Sequence, residues 1–295
     1  MLNTAKLGLG TVEFAAKSGK HALQVSREEA RRILDIAQAA NIPLLDTAPN
    51  AGDSQEVLGE CLKPEHHFKV VAKAPAFSTD FVVSHHADQL EKSLHQTLEL
   101  LEKKQLYALM IGCEQGLFAT QGEKLFKRMK SFQSEGLIEK VGISVSTSTQ
   151  LDRLLKHFSP DIVQVPLNVL DQRLVHSGHL TQMKARGIEI HARDIFLQGV
   201  LLDPTHLHPW FWPIRKRLTD YHDFLIQEGL TPLEGALNFV TSLAEVDFAL
   251  VGVQSAQQLE EVVGAVSFGI PASQFSAFAC SELKFIDPHQ WNLYE

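Results

Sequence analysis

The sequence predicts an α/β fold, a closed parallel (β/α)8 barrel. Three observations carry that expectation. Eight short apolar runs recur from end to end of the 295 residues, mostly Val, Ile and Leu, which is how strands buried on both faces read. Longer amphipathic segments with helix-start signals separate them. No G-x-G-x-x-G fingerprint follows the first run, where a doubly wound open sheet would carry one. Leu9-Gly10-Thr11-Val12 continues instead into Glu13-Phe14-Ala15. Eight strands alternating with helices is the count of a TIM barrel.

In chain order the strand runs are Lys6–Leu9, Ile42–Leu45, Phe68–Ala72, Leu106–Ile111, Val141–Ser144, Ile162–Val165, Glu189–Ala192 and Phe248–Val251. Ser26-Arg27-Glu28-Glu29 is a capping-box pattern, and Ala30, Ile33, Leu34 and Ala37 then share one helical face to about Ala40. Asp53-Ser54-Gln55-Glu56 repeats the signal before Val57 and Leu58. Thr231-Pro232-Leu233-Glu234 adds a proline at the first helical position. Further helices are expected at Asp88–Leu101, Glu123–Ser134, Thr149–His157, Gln172–Arg186 and Ala256–Val266. The aromatic run His206–Pro213 follows the seventh strand and reads as a loop insertion packed on the barrel rim. No linker rich in Pro, Gly or Ser divides the chain, so residues 1–295 read as a single barrel domain.

Composition narrows the function classes. The chain is 44% hydrophobic and carries a formal net charge of −8, without a Lys/Arg-rich run, which argues against nucleic acid as a partner. Cys61, Cys113 and Cys280 are too few and too scattered for a disulfide framework or a zinc site. The N-terminus has no secretory pattern, and no run approaches the roughly 18 apolar residues of a membrane span. The expectation is a soluble cytoplasmic protein with no membrane partner. The histidine pairs His66-His67, His85-His86 and His206/His208 lack metalloprotease spacing and read as surface residues, with a weak metal clamp at His206 and His208 the one variant to check.

Six motifs, in order along the chain, resemble the aldo-keto reductases. They are Leu7-Gly8-Leu9-Gly10-Thr11-Val12, Leu45-Asp46-Thr47-Ala48-Pro49 with Gly52–Gly59 after it, Val70-Val71-Ala72-Lys73, Val141–Ser146, Asp161–Asn168 and Val251–Ser255 with Gln258 and Glu261. The resemblance implies a barrel binding NADPH at its C-terminal mouth, with hydride transfer to a carbonyl. A tyrosine then serves as general acid, assisted by an aspartate, a lysine and a histidine. Hydride arriving at carbon puts negative charge on oxygen, and a phenol near pKa ~10 must deliver a proton there. Asp46 and Lys73 fall on the family's aspartate and lysine. The resemblance places cofactor contacts at Gly10, Thr11, Ser144, Gln164, Asn168, Gly199, Gly252, Gln258 and Glu261. Leu167–Arg173 resembles a bacterial branch linked to sugar or cell-surface polysaccharide metabolism, which implies a small-molecule carbonyl or sugar-like ligand.

The departures are as informative. Ala51 stands where the family has its tyrosine, and Gly112 where it has its histidine. Tyr107 starts the fourth strand, at the wrong end of the barrel. Tyr221 lies in an extra helical region, and Tyr294 is next to last. Asp194 replaces the small polar residue that faces the cofactor's pyrophosphate. A carboxylate 4 Å from a phosphate charge repels it by about 4 kcal/mol at an effective dielectric of 20. Either Arg193 turns inward to compensate, or Asp194 points away, or the two pair with each other. The run Gly252–Gln258 holds no basic residue for a 2′-phosphate, although the helix start near Ser255 offers backbone N–H groups. Three functions stay open: an NADPH-dependent reductase with impaired chemistry, a nucleotide- or metabolite-binding pseudoenzyme, and a non-redox lyase or isomerase using Lys73 as an amine.

Overall fold

The eight runs form eight parallel strands that pair in chain order, and the eighth closes onto the first. The computed structural model describes residues 4–15, 25–49, 52–112, 114–203, 205–266, 269–291 and 293. The strands are β1 (Leu7–Gly10), β2 (Leu44–Thr47), β3 (Lys69–Ala74), β4 (Leu106–Ile111), β5 (Ile138–Ser144), β6 (Ile162–Pro166), β7 (Glu189–Arg193) and β8 (Phe248–Gly252). Every predicted strand exists, with bounds moved by up to three residues. Half of the shifted ends belong to polar or glycine residues that the apolar pattern does not mark, such as Gly10, Thr47 and Gly252.

Each strand alternates between the barrel interior and the helical layer. Leu44, Val71, Ala108, Met110, Ile162 and Phe248 form one buried cluster, with Leu250 packed against it. The larger cluster joins strand residues such as Leu9, Leu45, Leu109 and Val163 to helix faces carrying Ile33, Leu94, Met129 and Leu154. Full burial of each such side chain is worth about 1.5–3 kcal/mol, so the two layers cannot separate without unfolding.

The helix Arg27–Ala39 begins as predicted, with Ser26 accepting from Glu29 N. Its Glu29 carboxyl does not turn back to complete the box, however. It crosses to the Ala256 N–H at 2.6 Å. The Thr231 box is complete, with Pro232 at the first helical position. The predicted helix Gln172–Arg186 is instead two short helices, Arg173–His176 and His179–Ala185. Gly178 between them has φ +74°, and the apolar periodicity runs straight through this break.

The aromatic insertion forms a 3-10 turn, Pro209–Ile214. Phe211 is buried edge-on against Trp291, with ring centroids 4.9 Å apart, and the Trp210 indole donates to Lys284 O. This is rim packing. Cys61 and Cys280 are buried free thiols, and Cys113 lies outside the described residues. His206 is tied to Asp203, and His208 accepts from Trp210 N. Among the described residues no group of His, Cys, Asp and Glu is arranged to hold a metal, and no helix is long and apolar enough to cross a membrane.

Near the start of β4, β5 and β7 a polar cluster closes the N-terminal end of the barrel. Glu189 accepts from the Tyr107 hydroxyl at 2.7 Å, from Lys140, and from His191 Nε2 at 2.7 Å. Lys140 also donates to the Tyr107 oxygen, and Lys69 sits 4.7 Å from that ring's centre. Burial would raise the Glu189 pKa, but the three hydrogen bonds outweigh it and hold the carboxyl at about 2. Burial pushes the Tyr107 phenol up to about 12. His191 is fully buried, so the reading of histidines as surface groups does not extend to it.

Because the Glu189 pKa is depressed in the fold, its contribution is complete above the ordinary value of 4.5 and declines as pH falls towards 2. Glu189→Gln is expected to cost about 2 kcal/mol at pH 7. Urea denaturation of both proteins between pH 7 and 3 should show that difference shrinking only below about pH 4.5.

Candidate functional site

At the C-terminal ends of the strands the backbone register gathers four side chains. Gly10 of β1 pairs with Asp46 of β2 on one side and Gly252 of β8 on the other. The Asp46 side chain points into the mouth and is almost wholly buried. Its Oδ2 accepts from Lys73 Nζ at 3.2 Å and from Gln164 Nε2 at 2.7 Å. Among the described residues its Oδ1 is buried with no hydrogen-bond partner, as is Gln164 Oε1. Thr11 donates from both its backbone and its hydroxyl to Asp46 O, so it steadies the aspartate's backbone. Gly112 follows β4 with no side chain. A Cβ there would lie 3.9 Å from Lys73 Cδ, so the position where the family resemblance calls for histidine lies against the lysine stem.

Glu13 completes the group, and sequence reasoning did not select it. It sits on the 3-10 turn Val12–Phe14 directly after β1. Phe14, fully buried, anchors that turn in the core. The Glu13 carboxyl reaches over the end of β8, where a Cβ on Gly252 would meet Glu13 Oε1 at 2.5 Å. Glycine at 252 is therefore what admits the carboxyl. Burial raises the Glu13 pKa. Lys73 and Asp46 are near enough for both charges to act on it, in opposite directions. The available signal was position alone, since residues just past a barrel strand's C-terminal end lie at the mouth.

A cavity of about 680 Å³ opens beside this cluster, lined by Glu13, Asp194, Phe196, Gln198, Gln254 and Glu261 among others. Of the expected cofactor contacts, Gly199, Gly252, Gln258 and Glu261 line it. Gln164 is committed to Asp46. Asn168 is spent on its own loop, donating to Asp194 O and accepting from Leu170 N and Asp171 N. Ser144 ends β5 and is buried. Of the readings for Arg193 and Asp194, the pairing of neighbours is the one found. Arg193 bonds to the Asp194 carboxylate, and its other arm reaches Ser146 Oγ at 2.8 Å. Asp194 itself has φ +58°.

A closed parallel barrel with a lysine–carboxylate pair at its C-terminal mouth defines the class of (β/α)8 proteins whose polar site sits on that face. Within that class, a family model described as Aldo/keto reductase family matches residues 6–281, and the chain belongs to that family. A curated relative, L-galactose dehydrogenase of Arabidopsis thaliana, is 23% identical over 282 residues, covering 90% of this chain and 85% of the relative. Among solved structures, an aldo-keto reductase from Bacillus halodurans in its holo form is similar with a TM-score of 0.74 and 17% identity, covering 97% of this chain and 95% of the other. A protein described as an aldo-keto reductase of Pseudomonas aeruginosa gives a TM-score of 0.66 at 22% identity, covering 93% of each chain.

The family generally uses NAD(P)H and acts on small-molecule carbonyl compounds. The residues along this cavity do not fit such a dinucleotide. Its described lining carries the carboxylates of Glu13, Asp194 and Glu261 and no Lys or Arg. The helix Ala256–Ala265, whose N-terminus was expected to offer N–H groups, has committed those of Ala256 and Gln258 elsewhere. Ala256 N donates to Glu29, Gln258 N to Ser255 Oγ, and Gln254 N to Gln258 Oε1. Asp194 is paired with Arg193, whereas a phosphate charge about 4 Å from an ionised carboxylate without such a partner would cost about 4 kcal/mol at an effective dielectric of 20.

Lys73 neutralises a carboxylate that has no other cation within bonding reach among the described residues. Lys73→Met is therefore expected to cost about 2 kcal/mol, because it strands a buried charge. The double variant D46N/K73M should recover at least half of that loss. Denaturant curves of the four proteins in this cycle measure the coupling.

Proposed function

We propose that this chain is an aldo/keto reductase family member that binds a small sugar-like or carbonyl-bearing molecule at the barrel mouth and does not carry out NADPH-dependent reduction. The observation that carries this reading is the acidic lining of the cavity at the barrel mouth, which among the described residues holds no Lys or Arg. Reduction also needs a proton donor beside the carbonyl oxygen. Ala51, at the family's tyrosine position, has no proton to give, and it lies outside the described residues, as does Tyr294. Tyr107 is bound up in the cluster at the opposite end of the barrel, and Tyr221 is buried between helices against Phe275 and Phe278. The lining supports the ligand class. Gln198, Gln254 and the carboxylates offer donors and acceptors suited to hydroxyl groups, and Phe196 offers an apolar face. The curated relative's name gives it a sugar as substrate, in keeping with a ligand of this kind.

Calorimetric titration with NADPH and NADH, beside L-galactose and a panel of aldoses and ketoses, tests the reading. The expected result is no nucleotide binding tighter than about 1 mM and saturable binding of at least one polyhydroxylated compound. Micromolar NADPH binding with carbonyl-dependent oxidation of the nucleotide would overturn it. The acidic groove makes a second expectation: Asp194→Ser combined with Gln254→Lys should strengthen NADPH binding at least tenfold.

A further inference from the structure

The mouth holds a carboxyl, an ammonium and an open acceptor that the family's hydride chemistry does not use together. Glu13 reaches over Gly252 into the cavity. Lys73 is fixed by Asp46 at 3.2 Å, and Asp46 and Gly252, the glycine beneath Glu13, flank Gly10 in the sheet. Asp46 Oδ1, more than nine-tenths buried, has no partner among the described residues. A carboxyl facing a cavity, with an ammonium held at the same mouth, is the pairing needed to move a proton at a carbon next to a carbonyl. The carboxylate takes the proton, and the ammonium holds the oxygen on which charge develops.

We infer that Glu13 and Lys73 catalyse enolisation of a hydroxy-aldehyde or hydroxy-ketone bound at the mouth, without a nucleotide. This rests on the reading above that a carbonyl-bearing molecule binds there. The Glu13 carboxylate removes the proton from the carbon next to the carbonyl. The C–H electron pair becomes a carbon–carbon double bond, and the carbonyl π pair moves onto oxygen, which accepts a hydrogen bond from Lys73. Glu13 then returns the proton. Returned to the same carbon, it gives exchange. Returned to the neighbouring carbon, with the hydroxyl proton passing to the former carbonyl oxygen, it interconverts aldose and ketose. Substrate and product have the same composition, so no oxidant or reductant takes part. Lys73 acts as a charged hydrogen-bond donor here, and no Schiff base forms.

The test is proton NMR in D2O with dihydroxyacetone, D-glyceraldehyde and L-galactose, no nucleotide added. Saturation-transfer difference spectra from the same tube report binding. The expected result is loss of the signal from the carbon-bound proton next to the carbonyl at least tenfold faster than in buffer, for at least one probe that binds. Glu13→Gln should keep binding and bring exchange to the buffer rate. Glu13→Asp, which keeps the carboxyl but shortens its reach, should retain a measurable fraction, so the inference is tested even if the glutamine variant fails to fold. A bound probe exchanging no faster than in buffer overturns the inference and leaves the binding reading standing. Undiminished exchange in Glu13→Gln also overturns it. Failure of every probe to bind removes the binding reading and the inference together.

Discussion

The carboxylate of Asp46 ties the mouth of the barrel together. Its backbone oxygen receives Thr11 from the turn after β1, and one side-chain oxygen receives both Lys73 of β3 and Gln164 of β6. Four strand ends are thus referred to one residue. A buried carboxylate is tolerated only when it is paired and hydrogen-bonded, so the positions of Lys73 and Gln164 follow from the need to satisfy it. What Asp46 leaves open is as consequential. Among the described residues its second oxygen has no donor.

The neighbouring groove follows a different logic. The helix start Ser255–Gln258 carries the ordinary partial positive charge of a helix N-terminus, and in this chain an internal carboxylate answers it. Glu29 spans from the first helix to Ala256 N, and its Oε2 lies 3.6 Å from Arg32. The contact joins two helices that flank the β1–β8 seam and uses an amide that would otherwise face an anion. Together with Glu13, Asp194 and Glu261, it gives this side of the mouth its acidic character.

The barrel was legible in the sequence because its cause is local. A strand buried on both faces must be apolar along its length, and a helix covering it must be apolar on one stripe. Asp46 and Lys73 were legible because each closes such a run. The remaining features were hidden because each depends on a partner distant in sequence. Glu29 satisfied the spacing of a capping box yet bonds a residue 227 positions away. Glu13 is an unremarkable turn residue until Gly252 is seen beneath it. His191 reads as one of 14 histidines until β7 carries it into the interior against Phe248. Gly178 lies within an unbroken apolar period, and only its positive φ divides the helix. At Ala51 the residue type alone is legible, an alanine where the family resemblance calls for a tyrosine.

The two ends of the barrel place a lysine and a carboxylate together, and the contrast between them separates scaffold from site. At the N-terminal end Glu189 has three donors and Lys140 two acceptors, with the Tyr107 ring lying against Lys140. Three donors on one carboxylate make a multiply bonded, half-buried ion pair that holds β4, β5 and β7 in register. At the C-terminal end Asp46 keeps an oxygen without a partner among the described residues, and Glu13 stands in a cavity with its charge disfavoured by burial. Leaving buried polar groups unsatisfied costs about 1–3 kcal/mol each. Among the described residues that cost falls at the base on His191 Nδ1 and at the mouth on Asp46 Oδ1 and Gln164 Oε1. What sets the mouth apart is the cavity beside it, lined by Glu13, whose buried carboxyl has its charge disfavoured.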